Sequence, residues 1–250
     1  MADQARDFFG KHADAYAKSK DHRSGEDLMK LVEYLAPRKS ELAADIGTGT
    51  GFTAAALSRS VKTVYAIDPT PEMLSRARDL CREEGAGNVE FIEAEASSTG
   101  LGDSSMGIVA TRRAAHHFPD KGSFLRESHR ILASGGRIGI SDMVAPEDDA
   151  RDVFNALERI RDGSHAGAMK KSEWISLLSD TGFEVTHVWD RIKQLKFEEW
   201  LSPVAANSDE GRGCKSYLDS LNPRQRGILE YDPVSASFVK RWVVIVAKRT

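Results

Sequence analysis

The sequence predicts an α/β fold: a Rossmann-like, seven-stranded, mostly parallel sheet with an antiparallel last strand, helices on both faces and a small helical cover. Three observations carry this expectation. Short apolar runs alternate with helical patterns from residue 42 to residue 141, the signature of strand–helix units feeding a parallel sheet. The segment ELAADIGTGTGF (Glu41–Phe52) sets an apolar run ahead of three alternating glycines and a helix-forming AAAL, which reads as a buried strand, a tight loop and a helix N-terminus. Near the end of the chain, Phe183–Lys193 and Ser235–Ala247 are both strand-like and flank an insertion, so they can pair antiparallel around it.

Taken in order, Leu42–Ile46 is a strand and Phe52–Ser60 a helix; Thr63–Ile67 is a strand. Pro71–Gly85 is a helix, with Met73, Leu74, Ala77 and Leu80 on one face at helical spacing. Val89–Ala94 and Gly107–Thr111 are strands. Gly122–Leu132 is a helix stopped by Gly135-Gly136, and Arg137–Ser141 is the fifth strand. Two insertions break the alternation. Pro146–Lys171 carries a helical stretch over Asp148–Arg161 before the helix Ser172–Thr181, and Glu198–Pro233 holds helical pieces between prolines and glycines. Insertions of that length usually serve as lids or binding segments. Residues 1–36, 146–171 and 197–233 are therefore expected to form the helical cover of a single domain spanning residues 1–250.

Composition narrows the function classes. With 35 Lys+Arg against 38 Asp+Glu and no basic block, no nucleic-acid footprint is visible. Cys81 and Cys214 form neither a disulfide framework nor a CxxC pair. The N-terminus has no signal-peptide core, and the longest apolar run, Trp242–Ala247, is far short of a membrane span. The expectation is a soluble, cytoplasmic protein. No His/Cys/Asp cluster has metal-ligand spacing, so no metal is expected.

Glycines after a strand let a ligand lie against bare backbone, which points to a nucleotide or nucleoside. The dinucleotide pattern G-x-G-x-x-G/A fails from Gly47, where Phe52 holds the third position, and passes from Gly49, where Ala54 holds it. Asp68 supplies the acid about 20 residues on that such sites use for ribose hydroxyls. The loop alone therefore leaves the nucleotide open. A short-chain dehydrogenase would also need a Tyr-x-x-x-Lys pair downstream, and Tyr16–Lys20, the sole such spacing, lies upstream.

The motifs that follow, in order, are AIDPTPEML (Ala66–Leu74), NVEFIEAEA (Asn88–Ala96), RRAAHHFPD (Arg112–Asp120) and ESHRILASGGRIGISD (Glu127–Asp142). Together with DIGTGTG they resemble class I S-adenosylmethionine-dependent methyltransferases of the quinone-biosynthesis-like (type 11) group, over about Asp45–Phe183. The resemblance implies transfer of a methyl group from S-adenosyl-L-methionine, the cofactor, to a small-molecule acceptor. An NAD-dependent oxidoreductase and a non-catalytic nucleoside-binding module are the alternatives. Two departures, Ser97 where the family often has Glu and Gly107 where it often has Asp, fall near the entry to the fourth strand.

The resemblance also implies roles. Asp68 accepts from the ribose diol, with capping of the following helix as its alternative. Asp45 and Thr48 hold the methionine end and shape the loop, and Gly47, Gly49 and Gly51 offer backbone. Glu95 and Ala96 meet the adenine, while Pro69 and Met73 pack nearby. Tyr16, Ser19 and His22 belong to an N-terminal segment that folds over the cofactor in relatives. Arg112 meets the cofactor carboxylate or an anionic substrate. His117 is the candidate general base, needed where the nucleophile loses a proton, and His116 stands beside it. IRDGSHAGAM (Ile160–Met169) resembles an RDPSH segment of some relatives, with Gly163 in place of proline. It follows the fifth strand, so Arg161, Asp162 and His165 are expected to border the substrate cavity; an Arg161–Asp162 ion pair bracing the helix is the structural alternative.

Overall fold

The computed structural model describes residues 23–150 and 152–250. The strands are β1 (Leu42–Ile46), β2 (Thr63–Asp68), β3 (Val89–Glu93), β4 (Met106–Arg112), β5 (Leu132–Val144), β6 (Phe183–Lys196) and β7 (Ser237–Arg249). They form one sheet in the order β3-β2-β1-β4-β5-β7-β6. β1 to β5 run parallel to one another, and β7 inserts antiparallel between β5 and β6. A classic dinucleotide fold places its sixth strand directly beside the fifth; here the reversed hairpin strand separates them.

Strand alternation sends successive side chains to opposite faces, and each face has its own core. Ala44, Val109, Val243 and Ile245 face helices α4 (Lys121–Ile131) and α6 (Lys171–Asp180), packing against Phe124, Leu125, Trp174 and Leu178. Their sequence neighbours Ala43, Ile108, Ala110, Val244 and Val246 face α1 (Glu26–Leu35) and α2 (Phe52–Ser58), meeting Leu31, Leu35, Ala54 and Leu57. Helix α3 (Pro71–Glu83) begins with proline at its first turn, where a missing N–H costs nothing. Its buried stripe Met73, Leu74, Ala77 and Leu80 is the predicted one.

Two expectations change. The described part of the N-terminal segment is not cover: α1 lies on the sheet so closely that a Cβ added to Gly139 in β5 would stand 2.6 Å from Leu31 Cδ1. Strand β5 begins at Leu132, ahead of the two glycines expected to stop the preceding helix. Its pairing with β4 jumps from Met106↔Leu132 to Ile108↔Arg137, so Gly135, at φ +72°, sits in a bulge.

The two insertions converge. Helix α5 (Val153–Arg161) and helices α7 (Phe197–Leu201), α8 (Asp209–Ser220) and α9 (Pro223–Leu229) share a core of Phe154, Leu157, Trp200, Leu218, Leu229 and Phe238. α5 starts later than its pattern suggested because Asp149 accepts from the amides of Val153 and Phe154 at 2.9 and 2.8 Å, satisfying donors of its first turn.

Candidate active site

The loop after β1 uses its three glycines for two different reasons. All have positive φ: +70° at Gly47, +53° at Gly49 and +89° at Gly51. At Gly47 a Cβ would collide with Ala114 Cβ at 2.6 Å, and at Gly51 with Ala77 Cβ at 2.9 Å. Gly49 would meet nothing within 4 Å, because it borders a cavity of about 410 Å³. Gly47 and Thr48 also line that cavity, whereas Gly51, expected to offer backbone to the ligand, is packed against α3 instead.

Two carboxylates stand at the C-terminal ends of β1 and β2. Asp68 accepts from the amides of Gly49 and Thr70, each at 2.9 Å, and lines the cavity. Burial raises its carboxyl above the usual range, opposed by those two amides. Asp45 is fully buried beneath the loop and accepts from Thr48 Oγ1 at 2.6 Å. Burial pushes its carboxyl up to about 7 against that hydrogen bond. Asp45 is absent from the cavity wall, so in this structure it braces the loop. Pro69, Met73, Glu95 and Ala96 are on the wall.

The end of β4 supplies Arg112, Arg113 and Ala114 to the same cavity. Sequence reasoning placed Arg112 against an incoming carboxylate; the structure presents one from within the chain. Asp27 on α1 accepts from Arg112 Nε and Nη2 at 2.8 and 3.0 Å and from Arg113 Nε and Nη2 at 3.0 and 3.1 Å. Burial alone would raise the Asp27 carboxyl, but the two guanidinium groups hold it far below its ordinary value. No sequence pattern announced Asp27.

Beyond β4 a 3-10 turn, Ala115–His117, carries the two histidines. Asp142 near the end of β5 anchors it, accepting from the His116 amide at 2.7 Å and holding His116 Nδ1 at 2.6 Å. Burial would raise the Asp142 carboxyl, yet His116 and the amides lower it. Asp142 was visible as the final acid of the ESHRILASGGRIGISD motif, though nothing in the spacing tied it to His116. His117 lines the cavity and His116 does not. Burial, and then the neighbouring His116 ring, pull the His117 imidazole down to about 3, so it is neutral at physiological pH.

Arg161 and His165, expected beside the substrate, lie behind the histidine turn and off the cavity wall. His165 Nε2 is 2.7 Å from Asn155 Oδ1, and its ring stands 5.5 Å from that of His116. Arg161 donates to the Ser202 carbonyl at 2.9 Å, lies over the Trp200 ring and pairs with Glu158 at 3.5 Å. The ion pair that Arg161 makes within this helix is with Glu158, in place of the alternative Arg161–Asp162 brace. Tyr16, Ser19 and His22 lie outside the described residues. Among the described residues no group of three or more His, Cys, Asp or Glu side chains could hold a metal ion, and no helix is long and apolar enough to cross a membrane.

A family model described as a methyltransferase domain matches residues 44–140. The uncharacterized methyltransferase YcgJ of Bacillus subtilis (strain 168) is 32% identical, over 87% of this chain and 87% of its own length. The crystal structure of a methyltransferase candidate from Bacillus halodurans C-125 superposes with a TM-score of 0.83 at 33% identity, covering 90% of this chain and 99% of the other. The ubiquinone/menaquinone biosynthesis C-methyltransferase UbiE of Escherichia coli O1:K1 / APEC is 31% identical over 49% of this chain and 53% of its own. The glycine loop, the acid closing β2 and the reversed β7 agree with these relationships: the chain belongs to the class I S-adenosylmethionine-dependent methyltransferases.

Proposed function

We propose that the cavity binds S-adenosyl-L-methionine and that the chain, as one domain, transfers its methyl group to a small-molecule acceptor. The observation that carries this reading is a single cavity lined both by Gly49 and Asp68 and by His117. Its volume of about 410 Å³ lies in the range of small-ligand sites. The donor set fits the cofactor. Gly49 leaves bare backbone facing open space, and a carboxylate has about four acceptor sites, so Asp68 retains capacity for a ribose hydroxyl beside its two amide bonds.

When bound, the cofactor supplies an electrophilic sulfonium methyl. The chain's contribution is positioning and exclusion of water, the main levers for an in-line displacement. Asp68 orients the ribose, Glu95 and Ala96 take the adenine, and Met73 packs alongside. His117 stays neutral and so adds no positive charge near the sulfonium. The cover helices bury Trp200, Leu201 and Tyr231 in a core of their own. Balanced charge across the chain fits a small-molecule acceptor better than a nucleic acid.

Calorimetric titration with S-adenosylhomocysteine and, separately, NADH tests the reading. Saturable binding of the former alone is expected. Binding of NADH alone would overturn it.

A further inference from the structure

Helix α3 is entered through Asp68, Pro69 and Thr70, and Thr70 holds its N-cap position in an extended conformation. A threonine there ordinarily turns its hydroxyl to an amide of the first turn. Asp120 before α4, Ser208 before α8 and Asn222 before α9 do this, accepting at 3.0, 3.1 and 3.0 Å. Thr70 makes no such bond. It is buried, lines the cavity beside Asp68, and its hydroxyl donates to the Asp68 carboxylate instead. Its amide donates to Asp68 Oδ1 as well, at 2.9 Å, which closes an Asx turn. The hydroxyl and the Gly49 and Thr70 amides thus oppose the burial that raises the Asp68 carboxyl.

Counting acceptors gives this arrangement a consequence. A carboxylate offers about four acceptor sites. At Asp68 the Gly49 amide, the Thr70 amide and the Thr70 hydroxyl occupy three of them. One is left for a ligand, yet a ribose diol brings two hydroxyls. A threonine hydroxyl that has given its hydrogen away still holds two lone pairs, and Thr70 stands on the same cavity wall. We propose that Thr70 is a donor-binding residue that shares the ribose diol with Asp68: one ribose hydroxyl donates to the carboxylate, and the other donates to the Thr70 hydroxyl. The inference rests on the reading of the cavity as the S-adenosyl-L-methionine site. It makes Thr70 a specificity residue too, because a nucleoside lacking either hydroxyl leaves one buried acceptor unmet, and an unmet acceptor costs affinity.

The experiment is calorimetric titration of wild type, Thr70→Val and Thr70→Ser with S-adenosylhomocysteine and with its 2′-deoxy and 3′-deoxy analogues. A buffer at about pH 8, far above ordinary carboxyl values, keeps Asp68 ionised. Thr70→Val preserves the side-chain shape and removes the hydroxyl. It should bind S-adenosylhomocysteine about 2- to 10-fold more weakly, the span of one neutral hydrogen bond, while Thr70→Ser stays close to wild type. The analogue that lacks the hydroxyl meeting Thr70 should bind wild type and Thr70→Val equally. The other analogue should lose as much as S-adenosylhomocysteine does. Equal losses for all three ligands would mean that Thr70 only supports the local structure, and would overturn the proposal. So would an unchanged affinity for S-adenosylhomocysteine, or losses that vanish for both analogues. Should Thr70→Val fail to fold, Thr70→Ala carries the same comparison. Failure of S-adenosylhomocysteine to bind the wild type is a separate result: it sinks the cofactor reading and takes this inference with it.

Discussion

The glycine loop and the helical cover are held together by opposite means. At the loop the backbone itself borders the cavity: Gly49 leaves it bare and Asp68 pins it through the Gly49 and Thr70 amides. In the cover, side chains from distant segments make an interior around buried charge. Glu158 of α5 accepts from Lys240 of β7 at 2.8 Å and from Trp200 of α7 at 3.0 Å, with Arg161 alongside. Burial alone would raise the Glu158 carboxyl, but Lys240 and Arg161 hold it well below its usual range. One region is local and periodic; the other depends on contacts across 42 residues and more. Their sensitivities to mutation should differ accordingly.

The largest effect is expected in the cover. Glu158→Ala leaves a buried ammonium at Lys240 without its closest carboxylate, a loss that ordinarily costs about 3–5 kcal/mol. Urea denaturation should show it, while affinity for S-adenosylhomocysteine in the surviving folded fraction stays close to wild type. A loss below about 1 kcal/mol would show that the cover is not braced by this pair.

Within the loop, two glycine substitutions separate packing from ligand contact. Gly51→Ala forces a Cβ to 2.9 Å from Ala77 on top of about 1–2 kcal/mol for a left-handed alanine, so it should lower stability by more than Gly49→Ala does. Gly49→Ala has no protein neighbour to meet, and its methyl enters the cavity. It should weaken donor binding more than it lowers the melting temperature. The reverse ranking would break the distinction between the two glycines.

A smaller effect is expected from Asp45. Its folded carboxyl is raised to about 7 by burial, above an ordinary value of about 3.9. A raised group stabilises fully below its unfolded value and loses that contribution as pH rises through the folded value. Asp45→Asn, which can still accept from Thr48, should therefore flatten the fall in stability between about pH 4 and 7. An unchanged pH profile would contradict the buried, neutral Asp45. Least of all is expected from Lys171→Ala. The Lys171–Asp190 pair at 2.9 Å is largely solvent-exposed, and exposed pairs contribute about 0–1 kcal/mol.

The same contrast explains what could be read from residue order. Strand and helix periods, the glycine spacing and the acid closing β2 are local patterns, and they located the sheet, the reversed β7, Gly49 and Asp68. The partners of Arg112 and His116 were not legible. Asp27 lies 85 residues before Arg112 and Asp142 lies 26 after His116, and no periodicity links a carboxylate to a base across such distances. Arg161 and His165 were assigned to the substrate because they follow strand five. The fold turned both away, since Trp200 and Glu158 gave Arg161 a half-buried seat and Asn155 captured His165.

The most direct test is calorimetric titration of wild type and Asp68→Ala with S-adenosylhomocysteine. Loss of a hydrogen bond to a charged group corresponds to about 1.5–3 kcal/mol, so the dissociation constant should rise roughly 10- to 150-fold. An affinity unchanged by the substitution would contradict donor binding at the end of β2.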